Sequence, residues 1–248
     1  IVELMTINFS LLASDQIVNH AAKLRYMSNG QFSIPLIIRT VTGSGAGVSA
    51  THSQCFEGWF ASVPGLQVVV PTTPSDVLGL FRSCRDLDDP VLFVEHIMLY
   101  STRGEVNDSP VKIPIGLADV KREGQDISII SYSRMVQVSL AAADVLSNYG
   151  IDAEVIDLRC LRPLDIQTLV DSVKKTHNVL VVEEAPRLGG FAGEVIALVQ
   201  QEAFDFLDGP IGRIAGEEVP IPFSYPLEQL SIPDVNTVAR AACDVLGR

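Results

Sequence analysis

His52 is the residue of this sequence best suited to acid–base work, because an imidazole donates and accepts protons near neutral pH. It stands in Thr51-His52-Ser53-Gln54, behind the loop Thr42-Gly43-Ser44-Gly45-Ala46-Gly47. That places it on a strand-to-helix connection, where ligands gather in doubly wound sheets. By residue type alone, a lone histidine is more often structural or merely exposed. The glycines alternate, without a G-x-G-x-x-G fingerprint or a Lys-Ser/Thr ending, so a dinucleotide site or P-loop is disfavoured. A flexible connector is the simpler reading, although glycine also lets a ligand approach the backbone. Phe9 is expected at the carboxyl end of the first strand, where a flat ring can stack on a heterocycle. Most aromatics, however, are core residues. Glu183 and Glu184 follow a buried strand. Paired carboxylates can exchange protons, but at a strand end a solvated pair is expected. The remaining histidines lack a second ligand at metal spacing, and Asp86 to Asp89 does not match an EF-hand loop.

The elements that must position these residues follow from periodicity. Residues 10–28 predict a helix with Ser10 as N-cap, stopped by Asn29-Gly30. The run 34–38 is apolar and β-branched and predicts a buried strand. A helix holding Phe56, Trp59 and Phe60 follows, then a strand over 66–70 closed by Pro71. Thr73-Pro74-Ser75-Asp76 starts the next helix with a cap and a proline-led first turn, and 91–94 is a third strand. Residues 101–126 turn polar and proline-containing, which predicts a linker and an entry hairpin. Beyond it, strands are predicted over 127–131, 153–158 and 179–182, with helices over 136–148, 166–175, 192–203 and 235–246. Strand–helix alternation predicts an α/β protein of two doubly wound domains with parallel sheets covered on both faces. The boundaries read 1–105, a linker at 106–125, and 126–248.

The chain has 248 residues, 47% of them hydrophobic, which suffices for a sizeable core. A net charge of -12 disfavours nucleic acid and anionic membrane as partners. Cys55, Cys84, Cys160 and Cys243 form no CxxC, so a disulfide framework or zinc ribbon is not expected. No apolar run approaches membrane-spanning length, and residues 1–10 lack the features of a signal peptide. Ile1-Val2-Glu3-Leu4 reads like the middle of a strand, so the chain is expected to begin inside a domain.

Glu3-Leu4-Met5-Thr6-Ile7-Asn8-Phe9 and Asp15-Gln16-Ile17-Val18-Asn19, followed in order by His52-Ser53-Gln54, Pro64-Gly65-Leu66, Arg162-Pro163-Leu164-Asp165 and Glu184-Ala185-Pro186 with Gly189-Gly190, carry a family likeness. The ordered set resembles the beta subunits of 2-oxo acid dehydrogenases, those of pyruvate dehydrogenase most of all. The likeness runs the length of the chain.

The resemblance implies a partial pyrimidine-binding domain for thiamine diphosphate followed by a transketolase C-terminal-type domain. It implies an α2β2 heterotetramer whose alpha subunit holds the diphosphate and magnesium, and whose beta subunit holds the aminopyrimidine. Phe9 matches the aromatic stacked on that ring, and His52 the histidine near its reactive end. The main-chain carbonyls of Leu36, Cys84, Arg85, Leu87 and Asp89 match a potassium site of some members, although the loop over 85–89 departs from the usual pattern. The implied reaction is oxidative decarboxylation of a 2-oxo acid, with acyl transfer to lipoyl-lysine of an acyltransferase core. The implied location is a bacterial cytoplasm, or a mitochondrial matrix or plastid. Ile7 stands where an aromatic is common, and Thr40-Val41 where Gly-Pro is common. The family's cofactor-activating glutamate is expected on a segment preceding residue 1. Competing readings are a branched-chain or acetoin dehydrogenase beta subunit, a single-chain thiamine enzyme of the transketolase superfamily, and a non-catalytic interaction fragment.

Overall fold

In a buried strand, successive side chains point to opposite faces, so each strand can feed two cores at once. The computed structural model describes residues 1–106 and 111–248 and shows this arrangement twice. The first half contributes β1 (Val2–Glu3), α1 (Ala22–Met27), β2 (Ile37–Thr42), α2 (Glu57–Ala61), β3 (Gln67–Val69), α3 (Pro74–Cys84) and β4 (Val91–His96). The second contributes β5 (Asp119–Arg122), β6 (Ile127–Ser131), α4 (Arg134–Ser147), β7 (Ala153–Asp157), β8 (Cys160–Arg162), α5 (Ile166–Thr176), β9 (Val179–Pro186), α6 (Ala192–Ala203), β10 (Gly212–Gly216), α7 (Tyr225–Leu230) and α8 (Val235–Leu246).

One sheet runs β1-β2-β4-β3-β8 and the other β10-β9-β6-β7-β5. Each is parallel except for one antiparallel edge strand, β8 against β3 and β5 against β7. Val68 and Val94 of the first sheet share a buried cluster with Ile130, Val181 and α5–α6 residues such as Leu169 and Val195. Their strand neighbours turn away: Val69 and Phe93 pack with Leu80 of α3, and Leu180 and Val182 with Val136 and Val238 of α4 and α8. The two sheets are therefore joined through a common core. Full burial of each such side chain contributes about 1.5–3 kcal/mol.

Sequence and structure differ at three places that bear on the site. The expected single helix over 10–28 is a 3₁₀ segment (Ile7–Ala13), a π segment (Gln16–Ala21) and α1. Ser10 does not cap it: its hydroxyl donates to the Ile7 carbonyl at 2.5 Å, a local bond that competes with regular α-helix. Phe9 accordingly lies in the 3₁₀ turn rather than at a strand end. Within the expected linker, 119–122 forms β5, which pairs with β7 and makes no entry hairpin with β6; residues 107–110 of that linker lie outside the described residues. Thr73 does cap α3, accepting from the Asp76 amide at 3.1 Å while Asp76 accepts from the Thr73 amide at 3.2 Å. Asp76 also binds Lys121 at 2.8 Å and Arg159 at 2.7 Å, tying α3 to the second half.

Candidate functional site

The loop between β2 and α2 is held at both ends by its own polar groups. Thr42 Oγ1 lies 2.9 Å from Glu57 Oε2 and 3.2 Å from the Gln54 carbonyl. Ser44 Oγ donates to the Ser53 carbonyl at 3.3 Å, and the His52 amide donates to the Ser49 carbonyl at 3.2 Å. Gly43 has φ +95°, and a Cβ there would lie 1.9 Å from His96 Nε2. Glycine is thus required by both conformation and space.

This loop brings His52 against Phe9. The ring centroids are 5.4 Å apart and the planes meet at 81°, an edge-on contact. Both residues are half-buried, so Phe9 is not a core aromatic. His52 Nδ1 lies 2.9 Å from Thr51 Oγ1, and no hydrogen bond to Nε2 is found among the described residues. Asn8, next to Phe9, donates from Nδ2 to Gln54 Oε1 at 2.6 Å. Its Oδ1 is buried without a partner. A buried acceptor left unmatched costs free energy.

The glutamate pair at the end of β9 is not solvated. Glu183 accepts from Arg213 at 2.6 Å and from the Ala192 amide at 3.0 Å, at the start of α6. Burial pushes its carboxyl up and outweighs both bonds. Glu184 reaches the first half of the chain, accepting from the Ser44 amide at 2.6 Å and from His96 Nε2 at 2.9 Å. His96 Nδ1 accepts from the Met98 amide at 3.1 Å, which assigns the ring hydrogen to Nε2. Burial raises the Glu184 carboxyl, but His96, the Ser44 amide and Arg134 outweigh it and hold the group below its usual range.

The connector is therefore not flexible in the expected sense. Its amides at Ser44, Gly45 and Gly47 are bound by carboxylates of the second half, Glu184 and Glu228. Successive N–H groups in such a turn form an anion site, and here the anions belong to the chain itself.

Glu57, only 2% exposed, lies on the buried side of α2 with Phe60 and Ala61. Burial pushes its carboxyl from 4.5 to about 7, despite the Thr42 hydroxyl. Neither Glu57 nor Glu228 stands out in the sequence as a functional residue. A charge at helical spacing with Phe60 and Ala61 was the available signal for Glu57; Glu228 had none.

Of the residues whose carbonyls are matched to potassium, Cys84 ends α3, Arg85, Leu87 and Asp89 lie in the turn that follows it, and Leu36 precedes β2. The Ile34 amide donates to the Asp88 carbonyl at 2.7 Å and the Val91 amide to the Leu36 carbonyl at 2.8 Å, joining the approach to β2 to the turn over 85–91. Leu36 and Cys84 carbonyls each accept one amide, from Val91 and Leu87, which leaves each a second lone pair. The Asp89 carboxylate is bound to Arg25 at 2.7 Å. Among the described residues, no cluster of three His, Cys, Asp or Glu side chains suits a metal ion. None of the helices among the described residues is long and apolar enough to cross a membrane.

A separate cavity of about 550 Å³ is lined by Glu3, Arg39, Thr72, Phe81 and Glu95, and neither Phe9 nor His52 borders it. Its charges are matched, Arg39 bonding Glu95 at 2.6 Å and Glu3 at 2.7 Å.

Residues 1–102 match the family model of the transketolase pyrimidine binding domain, and residues 116–238 that of the transketolase C-terminal domain. The chain is 46% identical over 98% of its length to the mitochondrial pyruvate dehydrogenase E1 component subunit beta-2 of Oryza sativa subsp. japonica, and covers 65% of that protein. It is 43% identical over 97% of its length to pyruvate dehydrogenase E1 component subunit beta of Rickettsia felis, covering 74% of it. The mitochondrial counterpart of Saccharomyces cerevisiae is 42% identical over 99% of the chain, with 69% of that protein covered. The chain thus spans about two thirds of the length of the curated relatives it matches. Among solved structures, a split-gene transketolase described as an inactive beta4 tetramer superposes with a TM-score of 0.79 at 23% identity. It covers 98% of this chain and 74% of its own, a likeness of fold.

Proposed function

From the premise that this chain belongs to the family of pyruvate dehydrogenase E1 component beta subunits, we propose that it supplies the aminopyrimidine side of a thiamine-diphosphate site in a pyruvate dehydrogenase. The carrying observation is the contact of Phe9 with His52 beside the unmatched Asn8 Oδ1. An aminopyrimidine suits this turn, because it offers a flat ring to Phe9 and N–H donors to the Asn8 oxygen. When bound, thiamine diphosphate stabilises the charge left at the 2-oxo carbon as carbon dioxide departs.

The chain's own residues orient and move protons. Phe9 fixes the plane of the heterocycle. Thr51 sets the His52 ring through Nδ1, which leaves Nε2 toward the reacting groups. From there it bonds the substrate oxygen and carries a proton during acyl transfer to lipoyl-lysine. Magnesium is assigned mainly to an alpha subunit. Potassium is assigned to the carbonyls of Leu36, Cys84, Arg85, Leu87 and Asp89, which have the hard oxygen character that such a cation takes. The proposed assembly is an α2β2 heterotetramer serving a lipoyl acyltransferase core, in a bacterial cytoplasm, a mitochondrial matrix or a plastid. The pyrimidine-binding domain is taken as 1–105, and the C-terminal-type domain as starting within 106–125, where β5 already joins the second sheet.

The test is co-expression of the full-length chain with its alpha subunit, followed by assay with thiamine diphosphate and magnesium. Carbon dioxide release is measured with pyruvate, branched-chain 2-oxo acids and acetoin. Preferential turnover of pyruvate is expected. Absence of decarboxylation above that of the alpha subunit alone would overturn the proposal.

A further inference from the structure

Glu228 is fully buried on α7, and among the described residues no cation lies within ion-pair distance of it. A buried carboxylate without a cation is costly unless hydrogen bonds replace its water. Its partners are main-chain amides of the glycine loop. Oε1 accepts from Gly45 at 2.8 Å, and Gly47 lies 3.2 Å from Oε2 and 3.3 Å from Oε1. Glu184 takes the preceding amide, Ser44, at 2.6 Å. Arg134, from the same half of the chain as both glutamates, donates to the Ser44 carbonyl at 3.2 Å.

The residues that grip the loop and those that the loop presents are thus on different parts of the fold. The gripped segment leads to Ser49, which has φ +68° and whose carbonyl holds the His52 amide at 3.2 Å. The loop is closed behind His52 by the Ser44 hydroxyl on the Ser53 carbonyl. Rotating Gly45 or Gly47 away from Glu228 therefore moves the support of His52.

We propose that Glu228 is a positioning residue for His52: its carboxylate, filling the amide site of the glycine loop from the second domain, fixes the loop conformation in which His52 meets Phe9. This rests on the functional reading of His52 above. The carboxylate geometry is specific, since a primary amide would turn one N–H donor against the loop's own donors.

The test uses the full-length chain assembled with its alpha subunit, as wild type, Glu228→Gln, Glu228→Asp, His52→Ala and the His52→Ala/Glu228→Gln double variant. Three readouts are taken: acyl transfer to lipoyl-lysine, the KM for pyruvate, and hydrogen exchange of the segment 43–53. Glu228→Gln is expected to lower the kcat of acyl transfer about tenfold, with KM within twofold. Glu228→Asp is expected to recover part of that loss. Exchange at residues 44–47 should quicken at least tenfold, while the strand over 179–182 stays protected. In the His52→Ala background the Glu228→Gln change should cost nothing further, because both act through one group. An unaltered kcat overturns the proposal, as does unaltered exchange or an equal loss with and without His52. If wild type itself turns over no 2-oxo acid, the functional reading fails, whereas exchange still tests the grip on the loop. Should Glu228→Gln not assemble, Glu228→Asp carries the comparison, and unaltered exchange in it overturns the proposal.

Discussion

Phe9 and His52, 43 positions apart in sequence, meet edge to face with ring centroids 5.4 Å apart. One comes from an irregular helical turn and the other from the glycine loop, so neither element makes a site alone. If Phe9 supplies the stacking surface for the heterocycle, its truncation removes an aromatic contact of about 0.5–1.5 kcal/mol beyond area burial. Phe9→Ala is expected to weaken thiamine diphosphate binding about tenfold in the assembled enzyme, as read by calorimetric titration. Unchanged affinity would remove Phe9 from the site.

Glu57 gives the protein a specific pH dependence. Its folded carboxyl is raised from 4.5 to about 7 by burial, so the folded state holds the proton more tightly than the unfolded chain. The stability this contributes is fully present below about 4.5 and is lost as pH rises to about 7. Glu57→Gln, which keeps the shape without the charge, is expected to raise stability by about 1–3 kcal/mol at pH 8. At pH 4 it should have little effect. Urea unfolding at both pH values is the check. Asp157, raised by burial to about 7, keeps part of the slope in the variant. Equal effects at the two pH values would contradict the assignment to Glu57.

Gly43 and Gly47 separate two costs of a side chain in the loop. Both have positive φ, but only at Gly43 would a Cβ meet a side chain, His96 Nε2 at 1.9 Å. His96 is held by Met98 and Glu184 and has no room to turn aside. Gly43→Ala is expected to destabilise by about 2–4 kcal/mol, and Gly47→Ala by about 1 kcal/mol. Scanning calorimetry should show a drop several degrees larger for Gly43→Ala. Equal midpoints would mean that the His96–Glu184 contact does not confine the loop.

Much of the second domain was legible because its apolar residues keep a clear period. The strand 127–131 and the helices 192–203 and 235–246 are found where the pattern puts them. β8 and β10 were not, since three residues over 160–162 and a glycine-bounded edge carry too little pattern to mark a strand. The pattern over 10–28 conceals the break in the helix because Ser10, a good cap by type, bonds back to Ile7 instead. His52 and Phe9 stand out through family strings rather than spacing, and the structure brings the two rings together. The burial of Glu183 and Glu184 is not legible in the sequence for a different reason. The Glu184 partner His96 is 88 positions away, and no local periodicity reports a contact made across two domains.

His52 carries the central claim, and one rate tests it most directly. The full-length chain, assembled with its alpha subunit, thiamine diphosphate and magnesium, is given pyruvate and a lipoylated domain, and acetyl-lipoyl formation is followed. His52→Ala is predicted to slow this step about a hundredfold or more, with an unaltered thermal midpoint. Acetyl-lipoyl formation by that variant at the wild-type rate would contradict the account.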